Sequence, residues 1–187
     1  AALPRQAHLA HRIGRKIAIV DVHEDAGRPV ARHQALHDFR RLPKGAAGEQ
    51  SPELAYEIRR ARYRRDVALD LYRELTGEDP KPFGPTATLD EDPERVATRL
   101  RDYLGVRREE AAGWRTAYDA LNRWRAALED QAVLVFQAED VSVSEMRGFS
   151  ISEMAFPAVV VNMKVAPSAR VFSMLHETTH LMLREGG

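Results

Sequence analysis

The sequence predicts an α+β fold: a small sheet of about three strands packed with helices, closed by a histidine-bearing helix at the C-terminal end and preceded by a helical appendage. Two observations predict it. Apolar residues recur at helical spacing through 51–77 and 92–128, and three short β-rich runs then follow between 132 and 163. The length of 187 residues suits one domain with a real core and a short additional segment.

Composition and charge exclude several classes of protein. Lys and Arg number 28, as do Asp and Glu, so no overall field favours a polyanion. The absence of cysteine excludes disulfides and thiolate metal sites. Residues 1–16 lack the apolar core of a signal peptide, and the longest apolar run, Met154 to Val161, is far shorter than the ~20 residues that cross a bilayer. We therefore expect a cytoplasmic protein without a membrane partner.

Residues 1–90 are predicted to form a linker and the helical appendage. A short helix is expected over 4–14, followed by a mostly irregular connector over 27–51. Ser51 and Pro52 then begin a long helix that Gly77 ends. Five arginines crowd its middle, namely Arg59, Arg60, Arg62, Arg64 and Arg65. We interpret them as a solvated face partnered by acidic neighbours; phosphate contact is the alternative.

Residues 91–187 are predicted to form the compact domain, after a proline-rich loop. Asp92 caps its first helix, and Gly105 ends that helix. A second helix is expected to place four core anchors on one face: Trp114, Tyr118, Leu121 and Leu128. The runs "AVLVFQ", "RGFSIS" and "AVVVNM" are the expected strands of an antiparallel or mixed sheet. Ser168 is the expected cap of the last helix, which is apolar on almost every side and should be buried.

The last helix carries the sequence "HETTH", in which His176, Glu177 and His180 follow the pattern His-Glu-x-x-His. Such a match arises by chance roughly 0.02 times in a chain of this composition. Histidines four residues apart project from one helix face, where two imidazoles can bind one Zn²⁺. Glu177 lies ~100° around the helix, within reach of a catalytic water. The pattern therefore predicts a zinc site with a general base.

A second pair with the same histidine spacing, His33 and His37, lacks the acidic residue. A bare His-x-x-x-His match is expected by chance roughly 0.26 times, and this pair lies in the predicted connector. We interpret both as surface residues.

The stretch "AVVVNM", a short proline-containing gap and "RVFSMLHETTHLML" resemble the ImmA/IrrE-type metallopeptidases over about half of the chain. The resemblance implies a zinc-dependent endopeptidase that cleaves a helix-turn-helix repressor in a stress or mobile-element response. It also implies that His176 and His180 are ligands and that Glu177 is the general base. In some members a helix-turn-helix domain precedes the peptidase domain. "RQAHLAHRIG" looks like the end of such a domain, whose reader helix is missing, so DNA contact is expected only through that missing part.

The resemblance also implies an acidic third ligand on a helix downstream of the motif. The chain ends seven residues after His180, and Glu185 lies ~140° from the ligand face. Both ends of the sequence look cut, so we expect the third ligand beyond residue 187, with Glu153, or His23, as weak substitutes. We expect a full-length parent to be active, and residues 1–187 alone to bind zinc poorly and to be inactive.

Two other functions are left open by the sequence. The first is a regulatory module with a peptidase-like fold and an incomplete metal site. The second is a DNA-binding regulator, suggested by the arginine-rich helix. Metal content with repressor turnover distinguishes the first from an enzyme, and salt-dependent binding to duplex DNA would favour the second.

Overall fold

The fold is given by a computed structural model that describes residues 50–184. Within this range the helices are α1 (Pro52–Thr76), α2 (Pro93–Tyr103), α3 (Arg108–Ala112), α4 (Ala117–Asp130) and α5 (Pro167–Leu183). The strands are β1 (Leu134–Ala138), β2 (Gly148–Ile151) and β3 (Ala158–Asn162). The predicted α+β class is confirmed, with the three expected strands and a closing helix that carries both histidines of the motif.

The sheet is mixed and has the order β1-β3-β2. The two outer strands differ in direction: β1 runs parallel to β3, with Leu134 opposite Ala158, whereas β2 runs antiparallel to it, with Gly148 opposite Val161. All five residues of the central strand β3 are buried, which fits its continuous apolar run. The mixed arrangement was one of the two sheet types that the sequence allowed.

Helices cover both faces of the sheet and create two apolar cores. On one face α1 packs against alternate strand residues, including Phe136, Phe149 and Val160. On the other face α4 and α5 pack against the residues between them, including Val135 and Val159. The strict alternation follows from the period of two in a strand, which sends neighbouring side chains to opposite faces.

The first core places α1 differently from the sequence prediction. We assigned this helix to an appendage that ends at residue 90, before the compact domain of 91–187. Instead Leu54, Ala68 and Tyr72 of α1 are buried against the sheet. The helix therefore belongs to the same packed unit as the strands, because its apolar stripe covers a sheet face that would otherwise be exposed.

The predicted ends of α1 and α2 are largely confirmed. Ser51 Oγ accepts a hydrogen bond of 3.1 Å from the Leu54 N–H, and Pro52 opens the helix. Gly77 ends it with a φ of 70°, a left-handed conformation that glycine adopts without steric cost. Asp92 caps α2 through a bond of 3.2 Å from the Glu94 N–H.

The predictions for α4 and α5 need correction. α4 begins at Ala117, so Trp114 precedes the helix, and Tyr118 is 56% exposed rather than a core anchor. The reason is a capping box between Thr116 and Asp119, which starts the helix at that point. Ala166, not Ser168, holds the N-cap position of α5, and it makes no side-chain capping bond. The reason is that Pro167 occupies the first helical position.

The burial of α5 was also overestimated. Met174, Leu181 and Met182 are buried, but Phe172 on the same helix is 58% exposed. An apolar composition on every side therefore does not mean burial on every side here, because α5 contacts the sheet and α4 over only part of its circumference.

The arginine cluster is only partly the solvated face that we predicted. Arg60 pairs with Glu57 at 3.2 Å, as expected of acidic neighbours. Arg64, however, is 5% exposed and lies over the Phe136 ring. Arg65 donates hydrogen bonds of 3.2 and 2.8 Å to the carbonyls of Phe156 and Ala155. These two side chains fasten α1 to the sheet region instead of facing solvent.

Several predictions fall on residues that the structure does not describe. The helix over 4–14, most of the connector over 27–51, His23 and the pair His33 and His37 all lie outside residues 50–184. Within the described range, every helix is too short or too polar to cross a membrane.

Candidate metal centre

Helix α5 is held in place along its length, which fixes the motif it carries. It packs on α4, β2 and β3. Near its C-terminal end the Met182 carbonyl accepts a hydrogen bond of 2.9 Å from the Ala87 N–H, which ties the helix to the extended segment before α2. Side chains on rigid, packed helices are positioned more accurately than side chains on loops.

The two histidines of the motif converge on one point. Nε2 of His176 lies 3.2 Å from Nε2 of His180, and the rings meet edge to face with centroids 4.8 Å apart. Two nitrogens bonded to one tetrahedral Zn²⁺ at ~2.0–2.1 Å lie about 3.3–3.4 Å from each other. The separation therefore fits a metal bound by the Nε2 atoms of both rings. It also allows a hydrogen bond between the two rings. The predicted spacing of four residues brings these two side chains together as expected.

Glu177 turns away from solvent between the histidine face and the sheet. It is 1% exposed, and it packs against β2 at Gly148. A Cβ atom built at Gly148 would lie 3.3 Å from Glu177 Cγ and 3.0 Å from the Val160 carbonyl oxygen. Any larger residue at this position would therefore press on the β3 backbone and on the Glu177 side chain, and glycine avoids both contacts. A buried carboxylate is costly without charged or hydrogen-bonding partners. The burial of Glu177 on the helix that carries the two histidines therefore indicates a functional role for this side chain.

One side of His176 faces an aromatic neighbour. The Phe172 ring stacks on the imidazole with an interplanar angle of 16° and centroids 6.2 Å apart. Beside them lies a cleft of 860 Å³ between α5, α2 and the segment that precedes α2. His176 thus belongs to the histidine pair and also lines the cleft. The prediction of a buried last helix included Phe172, although its position four residues before His176 placed both on one face.

A second residue that sequence reasoning passed over is Asn162 at the end of β3, which is fully buried. Its amide donates to the carbonyls of Val141 and Met146 at 2.9 and 3.0 Å, and its oxygen accepts from the Lys164 N–H at 2.9 Å. These bonds hold the loop between β1 and β2 against β3, and that loop leads into Gly148. The signal was a polar residue at the end of an otherwise apolar strand.

The structure does not bring the substitute third ligand Glu153 to the histidines. Glu153 follows β2 with its side chain half exposed, and a carboxylate oxygen lies 3.8 Å from an Arg65 nitrogen. Among residues 50–184, no group of three or more His, Cys, Asp or Glu side chains is arranged to hold a metal ion. The described part of the site thus consists of two imidazoles and the Glu177 carboxyl group on the same helix.

The comparisons with known proteins identify no relative. No protein-family model matches the chain, and neither the curated proteins nor the solved structures contain a significant match. The function is therefore argued from the site.

Proposed function

We propose that the chain is part of a zinc-dependent endopeptidase in which His176 and His180 bind the metal and Glu177 is the general base. The observation that carries the proposal is the 3.2 Å separation of the two Nε2 atoms on a helix that also buries Glu177. Zinc bound there would supply Lewis acidity towards a substrate carbonyl. The remaining chemistry is the work of the protein's own side chains.

Glu177 is suited to proton transfer by its place in the fold. Its side chain is packed against Gly148 on a rigid strand, so the carboxylate has little freedom to move. A general base must be held close to the proton that it takes. We propose that a Glu177 carboxylate oxygen accepts a proton from the attacking water and delivers it to the leaving amine.

The sheet offers a place for an extended substrate. Among the described strands, β2 pairs only with β3. Extended peptides bind sheets by adding a strand, with main-chain hydrogen bonds as the source of affinity. A peptide added along the other edge of β2 would pass beside Gly148 and hence beside Glu177. This placement favours a peptide bond, rather than a small molecule, as the substrate.

The third ligand and the natural substrate follow from the resemblance rather than from the geometry of the described residues. Since residues 50–184 hold no third ligand in place, we propose that it comes from outside this range. The resemblance to ImmA/IrrE-type peptidases supports an acidic residue for that role and a helix-turn-helix repressor as the substrate.

The test uses acetate as a substitute for the missing carboxylate. Residues 1–187 are incubated with excess zinc and a labelled protein substrate, with and without acetate, and the release of peptides is measured. We expect no turnover without acetate, weak turnover with it, and none in Glu177→Gln, which keeps both nitrogen ligands but cannot accept the proton. Equal turnover by Glu177→Gln and the unmodified chain would contradict the assignment.

Metal binding is measured in parallel. Cobalt(II) replaces zinc as a spectroscopic probe of the ligands. Glu177→Gln should keep the cobalt spectrum, whereas His176→Ala and His180→Ala should each lose it. An unchanged spectrum in both histidine variants would overturn the proposed function at its first step.

A further inference from the structure

The cleft beside His176 has the size and lining of a binding site. Its volume of 860 Å³ lies within the range of ~300–1,000 Å³ that is usual for ligand sites. Leu100 and Trp124, both buried residues of the second core, lie at its inner side. Leu175 and Leu183 add the flank formed by α5. The inner lining is therefore mainly apolar.

Four charged residues line the cleft, two acidic and two basic: Glu91, Glu94, Arg101 and Arg108. Arg99 binds both carboxylate oxygens of Glu91, at 2.8 and 3.1 Å, so that carboxylate is neutralised. The Arg101 guanidinium lies over the Trp124 ring at 5.0 Å from the centroid, with its charge used on the aromatic face. The four lining charges sum to zero, so the cleft has no net charge to favour an anion or a cation, and an uncharged apolar guest needs no counter-charge.

Phe172 connects the cleft to the candidate metal centre. One face of its ring stacks on His176, yet the residue remains 58% exposed. The exposed ring is continuous with the apolar lining of the cleft, and contiguous apolar patches on a protein surface mark binding sites. A side chain that entered the cleft would cover the ring and would at the same time lie next to the histidine pair.

We propose that this cleft is the specificity pocket of the enzyme and that it takes a bulky apolar side chain, aromatic or leucine-like, next to the cleaved bond. The proposal rests on the proposed function, since the cleft adjoins the metal centre through His176. Entry of such a side chain would remove apolar surface of both the guest and Phe172 from water. By that burial we expect a roughly ten- to hundred-fold preference for phenylalanine over aspartate.

Binding is measured first, because it does not depend on catalysis. Two blocked hexapeptides of alanine, one with a central phenylalanine and one with a central aspartate, are titrated into residues 1–187 with and without zinc. Amide chemical shifts in NMR spectra report where each peptide binds. The phenylalanine peptide should move signals from residues 87–101 and 172–183, whereas the aspartate peptide should not.

Variants that change only the cleft provide the matched controls. Ala97→Trp places a large side chain in the cleft from the exposed surface of α2 and should abolish binding, while Arg95→Trp adds the same group outside the cleft and should not. Phe172→Ala should weaken binding several-fold, and Tyr63→Ala, which removes another exposed aromatic ring, should have no effect. Both α2 variants change exposed residues, so folding should be retained.

The outcomes separate this inference from the proposed function. Binding of the phenylalanine peptide in the cleft without any Glu177-dependent hydrolysis would overturn the peptidase and leave the pocket standing. Hydrolysis that is equal for both peptides, or binding that Ala97→Trp does not reduce, would overturn the pocket alone. Self-association that disappears in Ala97→Trp would assign the cleft to a second copy of the chain and would also overturn it.

Discussion

Glu177 of α5 lies directly beside the position that a Cβ atom would occupy at Gly148 of β2. A single added carbon at Gly148 would come within 3.3 Å of Glu177 Cγ and within 3.0 Å of a β3 carbonyl oxygen. The space for the Glu177 side chain is therefore left by a residue 29 positions earlier in the chain that has no side chain (177 minus 148). This contact connects the stability of the sheet to the geometry of the candidate site.

Gly148→Ala should destabilise the fold and displace Glu177. Overpacking of this kind costs roughly 1–3 kcal/mol, because neither the strand carbonyl nor the helix can yield freely. Urea unfolding measures the stability, and the acetate-dependent turnover measures the displacement. Gly113→Ala is the control, since its added carbon meets only a carbonyl at 3.4 Å. If Gly148→Ala matched the control in both measurements, the contact would have no importance.

Zinc should bind residues 1–187 weakly. Catalytic zinc sites use three protein ligands, and the described part of this site offers two candidates, His176 and His180. Calorimetry should show an affinity weaker than nanomolar that is lost in His176→Ala and in His180→Ala. The double variant of His33 and His37 to alanine is the control and should bind like the unmodified chain. Zinc held at nanomolar affinity would mean that another side chain completes the site, and His23→Ala and Glu153→Gln would then identify it.

Asn162→Ala should destabilise the fold through the loop between β1 and β2. The substitution leaves two buried carbonyls and the Lys164 N–H without their side-chain partner. Unsatisfied buried polar groups cost about 1–3 kcal/mol each, so we expect a loss of roughly 2 kcal/mol or more. Ser144→Ala in the same loop removes an exposed hydroxyl and should change the stability by less than about 0.5 kcal/mol. Equal effects in thermal unfolding would show that the Asn162 bonds contribute little.

The stability of α4 should depend on pH through Asp119. The pKa of its carboxyl group is lowered, first by the backbone N–H of Thr116 and then by the Thr116 hydroxyl and the Arg115 N–H. A lowered pKa in the folded state means that the carboxylate stabilises the fold fully above its usual value of 3.8, and that this contribution is lost as the pH falls through the folded value. Asp119→Asn should therefore be less stable at neutral pH and should lose less stability on acidification. Urea unfolding at neutral pH and near pH 3 tests this, and parallel pH profiles of the two proteins would contradict it.

Local chemistry in the sequence was enough to predict several features of the fold and of the candidate site. Ser51, Asp92 and Gly77 mark helix ends because capping depends on residues within one turn of the chain. The spacing of His176 and His180 was equally sufficient, because a helix alone brings residues four apart to one face. The β-branched and aromatic residues in three short runs predicted the three strands.

Only the tertiary structure decided which surfaces meet. The packing of α1 on the sheet, the parallel pairing of β1 with β3, and the contact between Glu177 and Gly148 all join residues far apart in the chain. The exposure of Phe172 is decided in the same way, because an apolar helix face is buried only where another element covers it. The periodicity of apolar residues predicts the buried face of a single helix or strand. These features depend instead on the shapes and positions of two packed elements.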